Sequence, residues 1–227
     1  DVVTARGHKP VIDRETMAMR CAKEFQDGWI VNLGVGMPTL CSSFVPEDRT
    51  IIFHSENGVI GYGPLATEEN LDLHLVNASV QHVTLQPFAS IVHHADAFGI
   101  IRSGRIDICV LVAYEVAENG DFANWKVAGK RGGGIGGAMD LAICAQRIFI
   151  LMEHTTRDGK PRLLKRCTLP LTAGGVVKMV FTDLGVFEIG AQGFILKEIA
   201  PGWTPEELQA LTEARLTIHR NLTEVTL

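Results

Sequence analysis

The sequence predicts an α/β protein built on an open, mixed parallel sheet flanked by helices, and three observations predict it. Apolar runs of strand length recur along the chain, segments of helical period stand between them, and short glycine turns follow several strand candidates at their carboxyl ends. The 227 residues are 46% hydrophobic and 21% charged, enough to bury a full core. A single domain is read over 13–216, with an N-terminal extension over 1–12 and a C-terminal tail over 217–227.

Asp13 is a plausible N-cap for a helix carrying Met17, Cys21, Ala22 and Phe25 and ending at Gly28. A strand follows over 29–33. Gly34-Val35-Gly36-Met37-Pro38-Thr39 then makes a glycine turn, and a short helix runs from Pro38 towards Phe44. The apolar run 50–53 is the next strand. Later strands are expected over 80–85, 106–113, 147–152, 176–182, 185–189 and 194–199, with helices over 138–146 and 204–214. Thr204-Pro205-Glu206-Glu207 supplies an N-cap, a first-turn proline and a capping-box glutamate. Gly190-Ala191-Gln192-Gly193 reads as a hairpin turn.

Composition excludes several function classes. Net charge is −5, and the 21 Lys and Arg are scattered, so no basic footprint for nucleic acid is present. No apolar run approaches the ~20 residues of a membrane span, so no membrane partner is expected. The polar segment 1–10 has no apolar stretch of the secretory kind, and the start at Asp1 leaves open a trimmed or partial chain. Five cysteines without C-x-x-C spacing read as buried thiols of a reducing compartment, which gives a cytoplasmic placement, or the mitochondrial matrix in a eukaryote.

The residue to explain is Glu56. It stands in His54-Ser55-Glu56-Asn57-Gly58, a polar turn directly after a buried strand. A carboxylate there, with Gly58 allowing the backbone to bend and a ligand to approach, suits a nucleophile or a base. An ordinary surface carboxylate accounts for the same letters. Gly34 and Gly36 lie in a second turn at a strand end, where open α/β sheets build their sites, although most glycine turns only turn the chain.

The run from Gly132 to Asp140 is the densest glycine cluster and matches G-x-G-x-x-G. The segment before it, 124–131, is polar and cationic rather than a buried strand, so nicotinamide binding is not expected. Backbone amides at Gly136, Gly137 and Ala138, opening a helix, could hold an anion with Lys126, Lys130 and Arg131 nearby; a surface loop before an ordinary helix reads equally well. Adjacent His93 and His94 point apart and have no compact set of partner ligands, so no metal is expected. Ser55 lies outside G-x-S-x-G and reads as a turn residue.

Five stretches together resemble the beta-type (B) half of class I 3-oxoacid CoA-transferases. They are Gly34 to Thr39, Ser55-Glu56-Asn57-Gly58, Gly120 to Trp125, Gly136 to Leu141 and Cys167 to Thr172, and the resemblance spans roughly Asp13 to Leu216. It implies the open α/β fold of the CoA-transferase superfamily. It also implies that Glu56 is the nucleophile, that coenzyme A is a substrate carried as a transient glutamyl thioester, and that no cofactor is tightly bound. Gly34, Gly36, Asn57, Gly58, Gly136, Gly137, Ala138 and Lys130 are the expected substrate, CoA or oxyanion contacts. The implied partners are an alpha-type (A) CoA-transferase subunit, in a hetero-oligomer, or the other half of a fused chain, with acyl-CoA and small carboxylic acids as ligands. His93 to Phe98 is similar to beta subunits acting on 3-oxoadipate, and Gly129-Lys130 to those acting on acetoacetate with succinyl-CoA, so the expected acid is a 3-oxoacid. A thioester hydrolase or ring-opening lyase on the same fold is the first alternative, and a non-catalytic sugar-phosphate or nucleotide binder the second.

Overall fold

The computed structural model describes residues 9–127, 129 and 133–226. The described residues divide into two compact units. The first takes Ala18–Val112 and Gly137–Ile148; the second takes the described residues of Asp1–Met17, Ala113–Gly136 and Phe149–Leu227.

Helix α1 (Arg14–Ala22) begins as expected, with the Asp13 carboxylate accepting from the Thr16 N–H at 2.7 Å. That bond holds the Asp13 carboxyl below its ordinary range. The helix stops short of Gly28 because the chain beyond it is claimed by other partners. The Arg49 guanidinium takes the carbonyls of Lys23 and Phe25, and the Gly28 N–H donates to the Thr50 carbonyl.

In the first unit, β1 (Ile30–Leu33) leads through the Gly34 turn into a 3-10 helix over Met37–Ser43. β2 (Ile52–His54) and β3 (Val59–Leu65) form a hairpin, β4 (Val83–Ile91) leads towards helix α2 (His94–Arg102), and β5 (Ile108–Leu111) follows. Helix α3 (Ala138–Cys144) completes the unit. Strand order is β5-β1-β2-β3-β4, with β5, β1 and β2 parallel and β3 and β4 antiparallel. Asn32 pairs with His54 in the parallel register, so the Gly34 turn and the Ser55 turn leave neighbouring strands at the same carboxyl edge. Phe53 stacks on Tyr62 at 5.3 Å between ring centres and meets Phe25 edge-on at 6.5 Å, which fixes β2 in the core.

In the second unit, β6 (Glu115–Ala117), β7 (Phe122–Ala123) and β9 (Leu163–Leu164) make a small sheet. β8 (Ile148–Leu151), β10 (Val177–Thr182), β11 (Gly185–Gly190), β12 (Gly193–Ile199) and β13 (Thr217–Glu224) lie in the order β8-β10-β11-β12-β13. Helix α4 (Pro205–Ala210) starts on the expected capping box, with Thr204 and Glu207 bonded reciprocally. The segment 217–227, read as a tail, carries β13, which pairs in parallel with β12.

The strand expected over 80–85 lies later, at β4, and neither β3 nor α2 was anticipated. Three of the five cysteines (Cys21, Cys41 and Cys109) are buried, while Cys144 and Cys167 are half-buried. Among the described residues no helix is long and apolar enough to cross a membrane.

Candidate active site

Glu56 occupies the β2–β3 turn, closed by a bond from the Gly58 N–H to the Ser55 carbonyl at 3.0 Å and by one from the Ser55 N–H to the Val59 carbonyl at 2.9 Å. Both neighbours of Glu56 are tied to one remote segment. Ser55 Oγ accepts from the Ala78 N–H at 2.9 Å, and Asn57 Nδ2 donates to the Val76 carbonyl at 2.8 Å. Gly58 has φ +109, and the Val92 N–H donates to its carbonyl at 2.9 Å. A side chain at Gly58 would overlap the Val92 carbonyl oxygen, so the space beside this glycine belongs to the backbone entering α2 and not to a ligand. Asn57 and Gly58 therefore hold the turn.

Beneath the turn lies a buried polar relay. His54 is wholly buried; its Nε2–H donates to the Ala97 carbonyl at 3.1 Å, and its Nδ1 accepts from Asn32 Nδ2, also at 3.1 Å. The other Asn32 amide proton goes to the His54 carbonyl, and Asn32 Oδ1 faces the Cys109 thiol at 3.7 Å. Every polar atom of the Asn32 side chain thus has a partner, which fixes both its orientation and the His54 tautomer. Burial lowers the pKa of His54 and raises that of Cys109, so both stay neutral supports.

The Glu56 carboxylate leaves this anchored backbone and lies against Gly137, at the start of α3. A side chain at Gly137 would overlap Glu56 Oε2 and would also come within 3.1 Å of Phe98 Cζ. Helix α2 supplies the adjoining wall through residues four apart on one face. His94 Nδ1–H donates to the Glu56 carbonyl at 2.8 Å, its ring lies 4.7 Å from the Phe98 ring, and the Arg102 guanidinium sits 5.5 Å from the same ring. Arg102 Nε also donates to Asp140 Oδ1 at 2.8 Å, joining α2 to the first turn of α3. Burial lifts the Glu56 carboxyl above its ordinary pKa; the nearby His94 opposes the rise, and Asp140 adds to it. A half-desolvated carboxylate aimed at a helix start is equipped for nucleophilic attack.

The expected contacts therefore separate. Gly137 and Ala138 meet at the carboxylate's helix start. Gly34 is taken up by packing, since a side chain there would press on Leu111 and the Val110 carbonyl, whereas Gly36 has φ +95 and open space around it. Gly136 also faces open space at φ +51, and Lys130 lies outside the described residues. His94, Phe98, Arg102, Asp140, Asn32 and His54 were not read as site residues. Of these, His54 and Asp140 stood at the ends of the stretches singled out around Glu56 and the glycine cluster, and His94 and Phe98 within the stretch 93–98, while the i, i+4, i+8 spacing of His94, Phe98 and Arg102 needed a helix assignment to be seen.

Comparison with known proteins shows the family. A family model described as "Coenzyme A transferase" matches residues 14–210. The B-type chain of the succinyl-CoA:3-ketoacid coenzyme A transferase of Helicobacter pylori strain J99 is 41% identical over 206 residues, covering 91% of this chain and 99% of the relative. The B-type chain of the 3-oxoadipate CoA-transferase of Pseudomonas putida is 42% identical over 203 residues, 88% of this chain and 94% of the relative. Among solved structures, the acyl-CoA transferase YdiF of Escherichia coli O157:H7 superposes with a TM-score of 0.73 at 21% identity. That match covers 96% of this chain, which spans 44% of the larger protein, and it speaks for the fold alone.

Proposed function

This chain belongs to the coenzyme A transferase family, and from that premise we propose that it is the beta-type subunit of a 3-oxoacid CoA-transferase with Glu56 as the covalent nucleophile. The observation that carries the proposal is the placement of the Glu56 carboxylate against Gly137, on a turn held by the Ser55, Asn57 and Gly58 bonds.

In the reaction, a Glu56 carboxylate oxygen attacks the carbonyl carbon of an acyl-CoA thioester. The tetrahedral oxyanion collapses, the C–S bond breaks, and CoA leaves as the thiolate, giving an acyl-glutamyl anhydride. The thiolate then attacks the glutamyl carbonyl; the first acid departs as a carboxylate, and Glu56 holds CoA as a thioester. A second acid reverses the sequence. Its carboxylate attacks the glutamyl carbonyl and expels the thiolate, which takes the new acyl group and frees Glu56. No net proton is consumed, so the site needs orientation and oxyanion stabilisation more than basicity.

The raised Glu56 carboxyl fits this role, because a poorly solvated carboxylate is the more reactive nucleophile. The first-turn N–H groups of a helix lack intrahelical partners, and those of α3, beginning at Gly137 and Ala138, are assigned to the oxyanion. The open turn at Gly36, on the same carboxyl edge, is the second candidate donor.

The names of the relatives support the acids and the partner. Both relatives are beta-type chains, one named for succinyl-CoA and a 3-ketoacid and one for 3-oxoadipate. We assign this chain the same general reaction on a 3-oxoacid, with succinyl-CoA as donor and an alpha-type subunit completing the site. The test is intact mass after incubation with succinyl-CoA or acetoacetyl-CoA in the presence of the alpha-type subunit. A CoA-sized adduct localised to Glu56, and lost in Glu56→Gln, is expected. Consumption of the ester without an adduct would instead point to hydrolysis or ring opening.

A further inference from the structure

We propose that the outer side of β4 is the seat of the alpha-type subunit, with Phe88 as the anchor that enters an apolar socket ringed by Lys and Arg on that partner. The inference rests on the reading that an alpha-type subunit completes the Glu56 site, and it adds the surface that holds it.

Two backbone outliers lead to it. Among the described residues, Val80 and Phe88 are the non-glycine residues with positive φ, at +59 and +70. They are also the most exposed of the large apolar side chains, at 79% and 96%. A branched or aromatic residue in the left-handed region is strained, and a side chain standing in water gains no packing to offset it.

At Phe88 the strain belongs to the strand itself. Residues 60–62 of β3 face the longer stretch 85–90 of β4, so β4 bulges there. The root of the bulge is packed, since a side chain at Gly61 would come within 3.1 Å of Ala89 Cα. The bulge thus holds Phe88 out from the strand, and aromatic rings of this kind anchor protein interfaces.

Position and charge select the occupant. The segments that carry the exposed apolar side chains are those tied to the Glu56 turn. Val80 follows Ala78, whose N–H donates to Ser55 Oγ, and Ile91, 70% exposed, pairs with Val59 beside Gly58. A partner seated here borders the turn it is needed to complete. β4 ends its unit's strand order, and both the bulge and Pro87, which has no N–H, interrupt its outer edge. The partner is therefore met through side chains and not by an added strand. Between Arg49 and Arg102 the chain has no Lys or Arg, whereas Glu68, Glu69 and Asp72 are exposed in the segment leading to β4. A second copy laid on the same face would set these carboxylates against one another; a partner rimmed by cations meets them favourably.

The test uses the full chain in complex with the alpha-type subunit. Glycine and asparagine suit φ +70 best, so Phe88→Gly and Phe88→Asn remove the ring without adding strain. The dissociation constant of each complex is measured by sedimentation equilibrium at low and high salt. Adduct formation from succinyl-CoA is read by intact mass with the alpha-type subunit in excess. We expect both variants to weaken association by about 30-fold or more, as loss of an interface anchor does. Wild-type association should weaken as salt rises, and both variants should still take CoA on Glu56 once fully assembled.

Unchanged association in the two variants would overturn the proposal. Weakening confined to self-association of this chain would overturn it in favour of a second copy on this face. Loss of the adduct at full assembly would overturn it as well, since the ring would then serve the fold or the reacting site. Absence of an adduct from the wild-type complex would instead defeat the reading of Glu56, while the dissociation constants would still decide the seat of the partner.

Discussion

Two of the glycine-containing hairpin turns among the described residues, β11–β12 and β2–β3, differ in almost everything else. The β11–β12 turn closes with Gly190 paired to Gly193; Ala191 and Gln192 are exposed at its tip, and Gly193 supplies the left-handed backbone at φ +100. Strand pairing is enough to hold it. The β2–β3 turn has the same kind of pairing and, in addition, side-chain bonds to 76–78, a backbone bond to Val92, a histidine bonded to its Glu56 carbonyl and a buried relay below its strand. The excess of ties on one turn over the other is what the role proposed for Glu56 asks for beyond a chain reversal.

The contrast is tested most severely at Glu56. Replacement by Gln is expected to lower transfer by at least about 10⁴-fold, as removal of a covalent nucleophile does, measured by steady-state turnover with the alpha-type subunit present. The same variant should be more heat-stable near neutral pH. A carboxyl whose pKa is raised by folding costs stability as pH rises from the ordinary carboxyl range through the raised one, and the amide has no such cost. The gain in Tm should vanish in acid, where Glu56 is protonated in both folded and unfolded states. A Tm below wild type at neutral pH would contradict the burial assigned to the carboxylate.

Next in size is Gly137→Ala, whose methyl group would displace the Glu56 carboxylate. A loss of about 10²-fold in kcat with little change in Tm is expected, because misplacement of the nucleophile by about 1 Å costs that much. Gly58→Ala should act on stability first. Its φ and the Val92 carbonyl both oppose a side chain, and a loss of about 1–3 kcal/mol in denaturant unfolding is expected.

Asn57→Ala removes one bond, to the Val76 carbonyl, and should cost about 0.5–1.5 kcal/mol with a modest fall in turnover. At the other turn, Gln192→Ala should stay within about 0.5 kcal/mol of wild type, as an exposed tip residue does, and leave turnover unchanged. Equal effects of Asn57→Ala and Gln192→Ala would erase the distinction between the two turns.

One half of this contrast is readable in the sequence. The strand before Glu56, the turn and the helix start at Gly137 stand out because apolar run, glycine and cap lie close together in the chain. The ties that distinguish the Glu56 turn do not, since Asn32, Val76, Ala78, Val92 and Ala97 are brought to it by tertiary folding. Local signals also failed where composition hid the element. β3 contains Gly61, Gly63 and Pro64, which read as breakers. Pro87 lies within β4, at the edge of its unit's strand order, and α2 is capped by a histidine, outside the usual Ser, Thr, Asp and Asn set. β13 is exposed along most of its length, so it lacks the apolar alternation by which strands are recognised and reads as a tail.

The relay under Glu56 also gives the molecule its own spectroscopic sentinel. An imidazole Nε2 proton bonded to a main-chain oxygen and sheltered from solvent exchanges slowly, so His54 should contribute a resolved downfield proton resonance. That signal would persist as long as the strand beneath Glu56 stays in register with Asn32, reporting on the platform that carries the proposed nucleophile.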